Sequence, residues 1–331
     1  MKFGAVPVEK ALGAILAHSV QLTGGRLRKG AVVSKSDQSA LMNDGVTEIV
    51  VARLEADDLA ENDAAERLAS AIADPEKKGL SATNAFTGRV NLRAEVAGVV
   101  RVDADSIRAF NSVNPMITIA TVPDYHLADA RTMLATIKII SFGVPSKDVE
   151  AARLHLAEAI RIRQPVVRNA SLIVTEIPGV ASAKGIEAIK QRLARWGIVL
   201  DHVVFCAHRQ DALEEALAGV SSELVLILTG SATSDIADVA PASVVAAGGR
   251  IERFGMPVDP GNLLFLGVIN DTPVIGLPGC ARSPALNGTD WVLARVACGV
   301  GVSASEISDM GVGGLLKEIP TRPQPRSRHG K

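Results

Sequence analysis

The sequence has few aromatic residues and almost no net charge, and both shortages limit the class of protein. Aromatic residues make up 3% of the 331 residues, and the apolar content is mostly Ala, Val, Leu and Ile. This mixture is typical of β-strands covered by alanine-rich helices. The 35 basic and 36 acidic residues give a formal charge of −1, without the basic excess of a nucleic-acid-binding protein. We therefore expect no nucleic-acid partner, and an anionic ligand would need local cations or backbone N–H groups.

Cysteines are also few, and long apolar runs are missing. Cys206, Cys280 and Cys298 have no CxxC spacing, so the sequence predicts neither a disulfide framework nor a zinc site. No apolar run reaches the roughly 18 residues of a membrane helix. Residues 1–8 lack the basic and apolar parts of a signal peptide. We therefore expect a cytoplasmic protein that has no membrane partner.

The second half of the chain alternates strands and helices. Strand patterns lie over 170–177, 199–207 and 224–229, and helix patterns lie over 186–196, 212–218 and 239–247. This order predicts a mostly parallel sheet with helices on both faces, that is, a three-layer α/β domain over 170–318. A hairpin over 263–268 and 273–276 and a helix over 284–298 are predicted to follow.

The first half has the pattern of a smaller α+β domain over 1–145, with barrel-like strands. Glycines mark a turn at Thr23-Gly24-Gly25, and Ser36 is the predicted cap of a helix that stops at Gly45. The predicted elements are strands over 12–20, 31–33, 47–53, 96–102, 116–122 and 133–142 and a helix over 61–73. A connecting helix over 146–160 and a linker over 161–169 separate the two domains. Residues 319–331, rich in Pro and Arg, are predicted to form a flexible tail.

Three loops of the second half carry the candidate chemistry, because ligands bind beyond the carboxyl ends of parallel strands. They are residues 229–241, 255–262 and 276–284. The first contains small residues and hydroxyls directly ahead of a predicted helix, an arrangement that favours a phosphate group. Each loop alone is equally typical of a tight turn, so the prediction depends on their combination and order.

In combination, these loops resemble the molybdopterin-binding domain shared by molybdopterin adenylyltransferase and molybdopterin molybdotransferase. The family's Thr-Gly-Gly-Thr-Gly followed by Asp-Asp-Val-Thr-Pro aligns without gaps on residues 229–241. Its Pro-Gly-Lys-Pro matches at Pro260-Gly261, and its Leu-Pro-Gly-Asn-Pro matches at Leu277-Pro278-Gly279. The resemblance covers about residues 170–316. It is closest to a bacterial subgroup in which this region is often fused to a molybdenum-cofactor nucleotidyltransferase.

The sequence departs from this family where catalysis would need acidic groups. Ser231 and Thr233 replace two loop glycines, and Ala237 stands at the first position of the Asp-Asp pair. Asn262 replaces the molybdotransferase lysine, and an acidic residue of the adenylyltransferase is replaced near Ala207-His208. Nucleotidyl transfer uses acidic groups to hold Mg²⁺ between phosphates. These departures favour binding without the family's usual catalysis, or altered catalysis.

The resemblance implies a site for molybdopterin and, with it, Mg²⁺ and a nucleotide. Asp238 is the implied catalytic and metal-binding residue, although it equally suits a carboxylate that opposes a helix dipole. Ser231 and Thr233 are equally typical of residues that cap a helix. Arg282 could instead form a surface ion pair, and Asp259 could instead stabilise its turn. Cys280 is compatible with a reactive thiolate and His208 with a proton shuttle or a ligand, but we interpret both as structural. The implied ligand-binding residues are Thr229, Gly230, Ser231, Ala232, Thr233, Ser234, Asp259, Pro260, Gly261, Asn262, Pro278, Gly279, Arg282 and Ser283.

Three functions are compatible with this site. The first is a module that binds molybdopterin and presents it to a nucleotidyltransferase domain or protein, which agrees with the missing acidic residues. The second is an active Mg²⁺-dependent molybdopterin adenylyltransferase or molybdotransferase. The third is a sensor of a pterin or nucleotide. The resemblance also leaves a homo-oligomer open, and the lack of a dinucleotide fingerprint or Walker loop argues against a dehydrogenase or a P-loop enzyme.

Overall fold

The chain divides into two units. The computed structural model describes residues 1–74, 76, 78–179, 183 and 185–316, so the predicted tail over 319–331 lies outside the described residues. Unit 1 contains Met1–Val96 and Val100–Ile162, and unit 2 contains Ala97–Val99 and the chain from Arg163 onward. Among the described residues, no helix has both the length and the apolar character needed to cross a membrane.

Unit 1 consists of short antiparallel strands and helices. Its strands are β1 (Lys2–Pro7), β2 (Ile15–Leu16), β3 (Val20–Leu22), β4 (Gly25–Leu27), β5 (Glu48–Arg53), β6 (Asp58–Ala60), β7 (Leu80–Ala82), β8 (Arg89–Ala94), β9 (Gly98–Val102), β10 (Ile117–Thr121), β11 (Leu127–Ala128), β12 (Met133–Ile139), β13 (Gly143–Pro145) and β14 (Ile160–Arg163). Its helices are α1 (Lys35–Asn43), α2 (Glu61–Ala69), α3 (Ala104–Val113) and α4 (Ser146–Arg153). The sheet orders are β1-β5-β2, β10-β12-β8-β7, β11-β9-β14, β13-β6 and β3-β4.

Several elements predicted for unit 1 are present with changed bounds. The strand over 47–53 is β5, and the turn at Thr23 separates β3 from β4. The predicted strand over 12–20 is interrupted, since β2 ends at Leu16 and β3 begins at Val20. Ser34, not Ser36, caps α1, because its hydroxyl accepts from the Asp37 N–H while the Asp37 carboxylate accepts from the Ser34 N–H.

The connecting helix predicted over 146–160 is wrong in its second half. Helix α4 ends at Arg153, and β14 then joins the sheet β11-β9-β14. One apolar pattern therefore spans a helix, a turn and a strand, and its buried residues pack into the core of unit 1. These residues are Val149, Ala152, Leu156, Ala159, Ile160 and Ile162. These buried side chains are therefore part of the core of unit 1 and do not form an exposed connection.

Unit 2 contains a six-stranded sheet of order β16-β15-β17-β20-β19-β18. Its strands are β15 (Asn169–Glu176), β16 (Val199–Ala207), β17 (Val225–Leu228), β18 (Arg250–Phe254), β19 (Phe265–Ile269) and β20 (Thr272–Leu277). Its helices are α5 (Ile186–Arg195), α6 (Gln210–Ala218), α7 (Val239–Ala246), α8 (Gly288–Ala297) and α9 (Ala304–Asp309). Strands β16, β15, β17 and β20 are parallel, and β19 is antiparallel to both of its neighbours. The predicted mostly parallel sheet is therefore confirmed.

Helices cover both faces of this sheet. Helices α6 and α7 bury Leu213 and Val244 against Ile173 and Ile227. The chain passes from β15 through α5 to β16 in one direction across the sheet, and from β16 through α6 to β17 in the other direction. Right-handed crossovers therefore place α5 and α6 on opposite faces. Helix α8 lies with α5, because Arg192 of α5 contacts Asp290 of α8. The carboxyl ends of the four parallel strands consequently share one edge.

Two elements of unit 2 are absent from the sequence prediction, and one begins later than expected. Helix α8 starts at Gly288 instead of residue 284, because Asn287 and Asp290 form a capping box. Strand β18 has a mixed charged and apolar sequence on the sheet edge, which gives little strand signal. Helix α9 is also absent from the prediction, although Ser303 and Glu306, which form another capping box, mark its start in the sequence.

Candidate functional site

The loop after β17 is braced by its own threonine hydroxyls. The Thr229 hydroxyl donates to the Ser231 carbonyl oxygen at 2.6 Å, and its Oγ1 lies 3.3 Å from Thr233 Oγ1. Because Thr229 uses its proton on Ser231, the Thr233 hydroxyl donates to Thr229. Both threonines are buried, whereas Ser231, Ala232 and Ser234 are exposed. The two threonines therefore shape the loop from within.

The backbone of this loop offers three successive donors. In the part of the chain that the structure describes, the N–H groups of Ser231, Ala232 and Thr233 donate to no other residue. Consecutive unpaired N–H groups in a loop form a concavity that attracts anions. The loop also leads into the amino end of α7, whose dipole favours negative charge. This geometry is suited to a phosphate group.

Gly230 joins this loop to the neighbouring strand β15. Its N–H donates to the Thr175 Oγ1 at 2.9 Å. A Cβ at this position would lie 2.9 Å from the Thr175 carbonyl oxygen and 3.1 Å from Ile177 Cγ1. Only glycine allows this close approach without a shift of the loop.

Asp238, the implied catalytic residue, acts as the cap of α7. Its Oδ1 accepts from the Val239 N–H at 2.7 Å, and its Oδ2 accepts from the Ser234 N–H at 3.1 Å. Over the described ranges, no three His, Cys, Asp or Glu side chains lie close enough together to hold a metal ion. Asp238, with both oxygens already accepting, and Asp235, whose Oδ1 accepts from the Ala237 N–H at 2.7 Å, are too few for a Mg²⁺ site made by protein side chains alone.

Arg282 connects the loop after β20 to the loop after β17. It ends the short 3-10 turn Gly279–Arg282, and its Nη2 donates to the Thr229 carbonyl oxygen at 2.8 Å. Burial lowers the pKa of Arg282, but a guanidinium stays protonated in proteins. Within this loop, Pro278 is buried whereas Gly279 and Ser283 are exposed. Arg282 therefore places a half-buried positive charge beside the backbone donors of this loop.

Arg192 is a positioning residue that the sequence analysis misses. It is 7% exposed, and its Nε donates to Asp290 Oδ1 at 2.9 Å. Its Nη atoms donate to the carbonyl oxygens of Ala281, Ser283 and Ala285 at 2.8, 2.6 and 2.9 Å. The sequence feature that indicates its role is the position of this arginine on the apolar face of an amphipathic helix, where a buried guanidinium needs partners. Arg192 thus fixes the loop that carries Arg282.

The predicted loop over 255–262 lies apart from the other two. It contains the cis peptide Asp259–Pro260, and Pro260 accepts from the Gly288 N–H at 2.8 Å. Gly261 has a φ of 147°, and a Cβ there would lie 2.8 Å from Gly288 N, so glycine is needed. Asp259 exchanges hydrogen bonds with Gly314 and residue 316.

The loop over 255–262 therefore contacts the start of α8, and no hydrogen bond among the described residues joins it to the loop after β17. Strand β18 is three strand spacings, about 14 Å, from β17 in the sheet order. Asp259 and Asn262 are exposed. A hydrogen bond joins the predicted residues at 229–234 to those at 278–283, whereas no hydrogen bond among the described residues joins Asp259–Asn262 to either group.

Comparisons with known proteins identify similarities of low identity. A family model described as "Domain of unknown function (DUF8806)" matches residues 5–53, and no curated protein matches the chain. A molybdopterin biosynthesis MoeA protein from Pyrococcus horikoshii is 15% identical, with 93% of this chain and 77% of that chain covered and a TM-score of 0.31. A molybdopterin biosynthesis protein from Mycobacterium abscessus is 17% identical, with 41% and 94% covered and a TM-score of 0.29. A molybdenum cofactor biosynthesis protein from Pyrococcus furiosus is 12% identical, with 84% and 56% covered and a TM-score of 0.20.

Proposed function

We propose that this chain binds molybdopterin through its phosphate group, as a binding or presenting module for nucleotidyl transfer in molybdenum-cofactor biosynthesis. The observation that carries the proposal is the run of N–H groups from Ser231 to Thr233, which donate to no other residue in the described part of the chain and lie ahead of the amino end of α7. The resemblance of residues 229–241 to the family's glycine-rich loop indicates that the ligand is molybdopterin. Backbone donors of this kind hold phosphate without sequence-specific side chains.

Arg282 supplies the charge that such a ligand needs. The chain has a formal charge of −1, so its overall field does not attract an anion. A half-buried guanidinium makes stronger contacts than an exposed one, because less water screens it. The Thr229 carbonyl oxygen and the packing of Gly185 against Arg282 hold the side chain close to the loop. Phosphate binding at this edge therefore combines fixed N–H dipoles with the Arg282 cation.

The side chains present favour binding over turnover. The Asp238 carboxylate is used as a helix cap, and Ala237 occupies the other acidic position of the resembled motif. No step through Mg²⁺ is proposed, because Asp238, the implied metal-binding residue, already accepts with both of its carboxylate oxygens. A partner nucleotidyltransferase, as a fused domain or a separate protein, would then perform the chemistry.

Titration calorimetry of the full chain with molybdopterin tests the proposal. Wild-type protein is expected to bind, and Arg282→Met is expected to bind about tenfold more weakly, a loss of about 1.4 kcal/mol. Arg250→Met is the matched control, because Arg250 is an exposed arginine at the amino end of β18, on the opposite edge of the sheet. It should bind like wild type.

A parallel assay separates a binding module from an enzyme. The chain is incubated with molybdopterin, Mg²⁺ and either ATP or CTP, and pyrophosphate release is followed. We expect binding with no release of pyrophosphate. Release that is lost in Asp238→Ala would support an active nucleotidyltransferase instead, and failure of wild-type protein to bind molybdopterin would refute both functions.

A further inference from the structure

One buried hydroxyl connects the ends of the three neighbouring strands β15, β16 and β17. Thr175, at the end of β15, is 0% exposed. Its Oγ1 accepts from the Gly230 N–H at 2.9 Å and lies 2.8 Å from Nδ1 of His208, the residue that follows β16. The backbone N–H of His208 donates to the Glu176 carbonyl oxygen at 2.9 Å. The imidazole is thus fixed beside the loop whose backbone donors form the candidate phosphate site.

The direction of the Thr175–His208 bond follows from a count of protons. A hydroxyl has one proton and two acceptor positions, and the Gly230 N–H takes one acceptor position. Over the described ranges, His208 Nδ1 is the one acceptor within reach of the Thr175 proton. If Nδ1 carried a proton and donated instead, the buried hydroxyl proton would have no partner. That arrangement is disfavoured about tenfold or more.

The neutral ring therefore carries its proton on Nε2. His208 is half-buried, and in the described part of the chain no residue accepts from Nε2. The rigid ring places Nε2 within a few ångströms of the hydroxyl that also holds Gly230. This leaves an oriented, uncharged N–H donor at the same sheet edge as the backbone N–H groups of Ser231, Ala232 and Thr233.

We propose that Thr175 holds His208 as the Nε2–H tautomer, so that His208 donates a hydrogen bond to the phosphate group of the bound ligand. The inference rests on the proposed function for the identity of that ligand, and it adds a binding residue. One hydroxyl then has two tasks, because it fixes both the backbone at Gly230 and the proton of the ring. Thr175 is a positioning residue, whereas His208 contacts the ligand.

Nitrogen NMR of the full chain, labelled at its histidine rings, tests the tautomer without any ligand. At mildly alkaline pH we expect a pyridine-like Nδ1 and a pyrrole-like Nε2 for His208, assigned by the loss of its signals in His208→Gln. Thr175→Val keeps the side-chain shape and removes the hydroxyl, so the Nε2–H fraction of His208 should fall to that of an exposed histidine such as His202 in the same spectrum. A pyrrole-like Nδ1 in the wild-type chain would overturn the proposal.

Calorimetry with molybdopterin tests the contact itself. His208→Ala is expected to bind about tenfold more weakly, and His208→Gln, whose amide N–H lies at a similar reach, should recover most of the affinity. His202→Gln is the matched control, since His202 is exposed on β16, the strand that His208 follows. Equal affinity of wild type and His208→Ala would refute the contact. No binding by wild type would refute the proposed function and the contact together, and the tautomer measurement would still decide the role of Thr175.

Discussion

Replacement of Arg192 by methionine should destabilise unit 2 more than other single changes on α5. Methionine has a similar length and is apolar, so it fills the space of the side chain but donates no hydrogen bond. The change leaves the Asp290 carboxylate, whose side chain is 14% exposed, without its ion partner. It also leaves the carbonyl oxygens of Ala281, Ser283 and Ala285 without the donors that hold their loop.

The size of the effect can be worked from these contacts. Removal of one partner from a buried ion pair costs about 3–5 kcal/mol, because the other charge stays buried and uncompensated. Asp290 still accepts from the Asn287 N–H at 2.8 Å, so we expect the low end, about 3 kcal/mol of unfolding free energy. Asp290→Asn in the same chain removes the uncompensated charge and should recover roughly 1–2 kcal/mol. Arg192→Lys should fall between, since an ammonium cannot reproduce the planar set of donors.

Tryptophan fluorescence during urea unfolding measures this loss in unit 2 alone. The two tryptophans of the chain are Trp196, directly after α5, and Trp291, within α8. The signal therefore reports on the two helices that Arg192 joins, even when the two units unfold in separate transitions. Lys190→Met is the control, because Lys190 is exposed on the same helix, and it should change stability by less than about 0.5 kcal/mol. A loss below about 1 kcal/mol for Arg192→Met would contradict this account of the buried network.

Three further predictions concern Gly230, Cys298 and Asp103. Gly230→Ala should weaken molybdopterin binding by about tenfold in calorimetry, because its Cβ would meet the Thr175 carbonyl oxygen at 2.9 Å; unchanged affinity would show that the loop is not a binding element. Burial raises the pKa of Cys298 to about 11, so iodoacetamide at pH 8 should label it only after unfolding, as read by mass spectrometry. The Ser106 hydroxyl holds the pKa of Asp103 below its ordinary value of 3.8, so its stabilising charge is present above that value and is lost as the pH falls below it. The thermal midpoint of Asp103→Asn should therefore depend less on pH in acid than that of wild type, and identical pH dependence would contradict this role.

Much of unit 2 is predictable from the sequence because its central strands, such as β15 and β17, are buried on both faces. The predicted strand over 199–207 and the start of the helix at residue 186 agree with β16 and α5. Continuous apolar runs such as Val225–Leu228 have few alternatives in an alternating α/β chain. Strand β18 is not predicted, because it lies at the edge of the sheet, where a strand is less buried and can contain charged residues.

The pairing of loops is harder to predict, because it depends on tertiary contacts between distant residues. The order of strands decides which loops meet, and the antiparallel insertion of β19 moves Asp259–Asn262 away from Gly230. Arg192 acts through carbonyl oxygens about 90 residues away in the chain, and periodicity does not specify such partners. Short-range features, such as the cap at Asp238, are visible in the sequence, whereas the Thr175 hydroxyl shared by two strands is not.

The departures from the resembled family's glycine loop have a physical consequence for binding. Thr233 stands at a position where that family has glycine, and its buried hydroxyl pairs with Thr229. A threonine has fewer backbone conformations than a glycine in the unfolded chain, and its side-chain bond restricts the folded loop further. The donors of residues 231–233 are therefore ordered before a ligand arrives, which lowers the entropy cost of binding. A loop fixed in this way suits a protein that holds its ligand for another active site, because its own geometry does not have to change during a reaction.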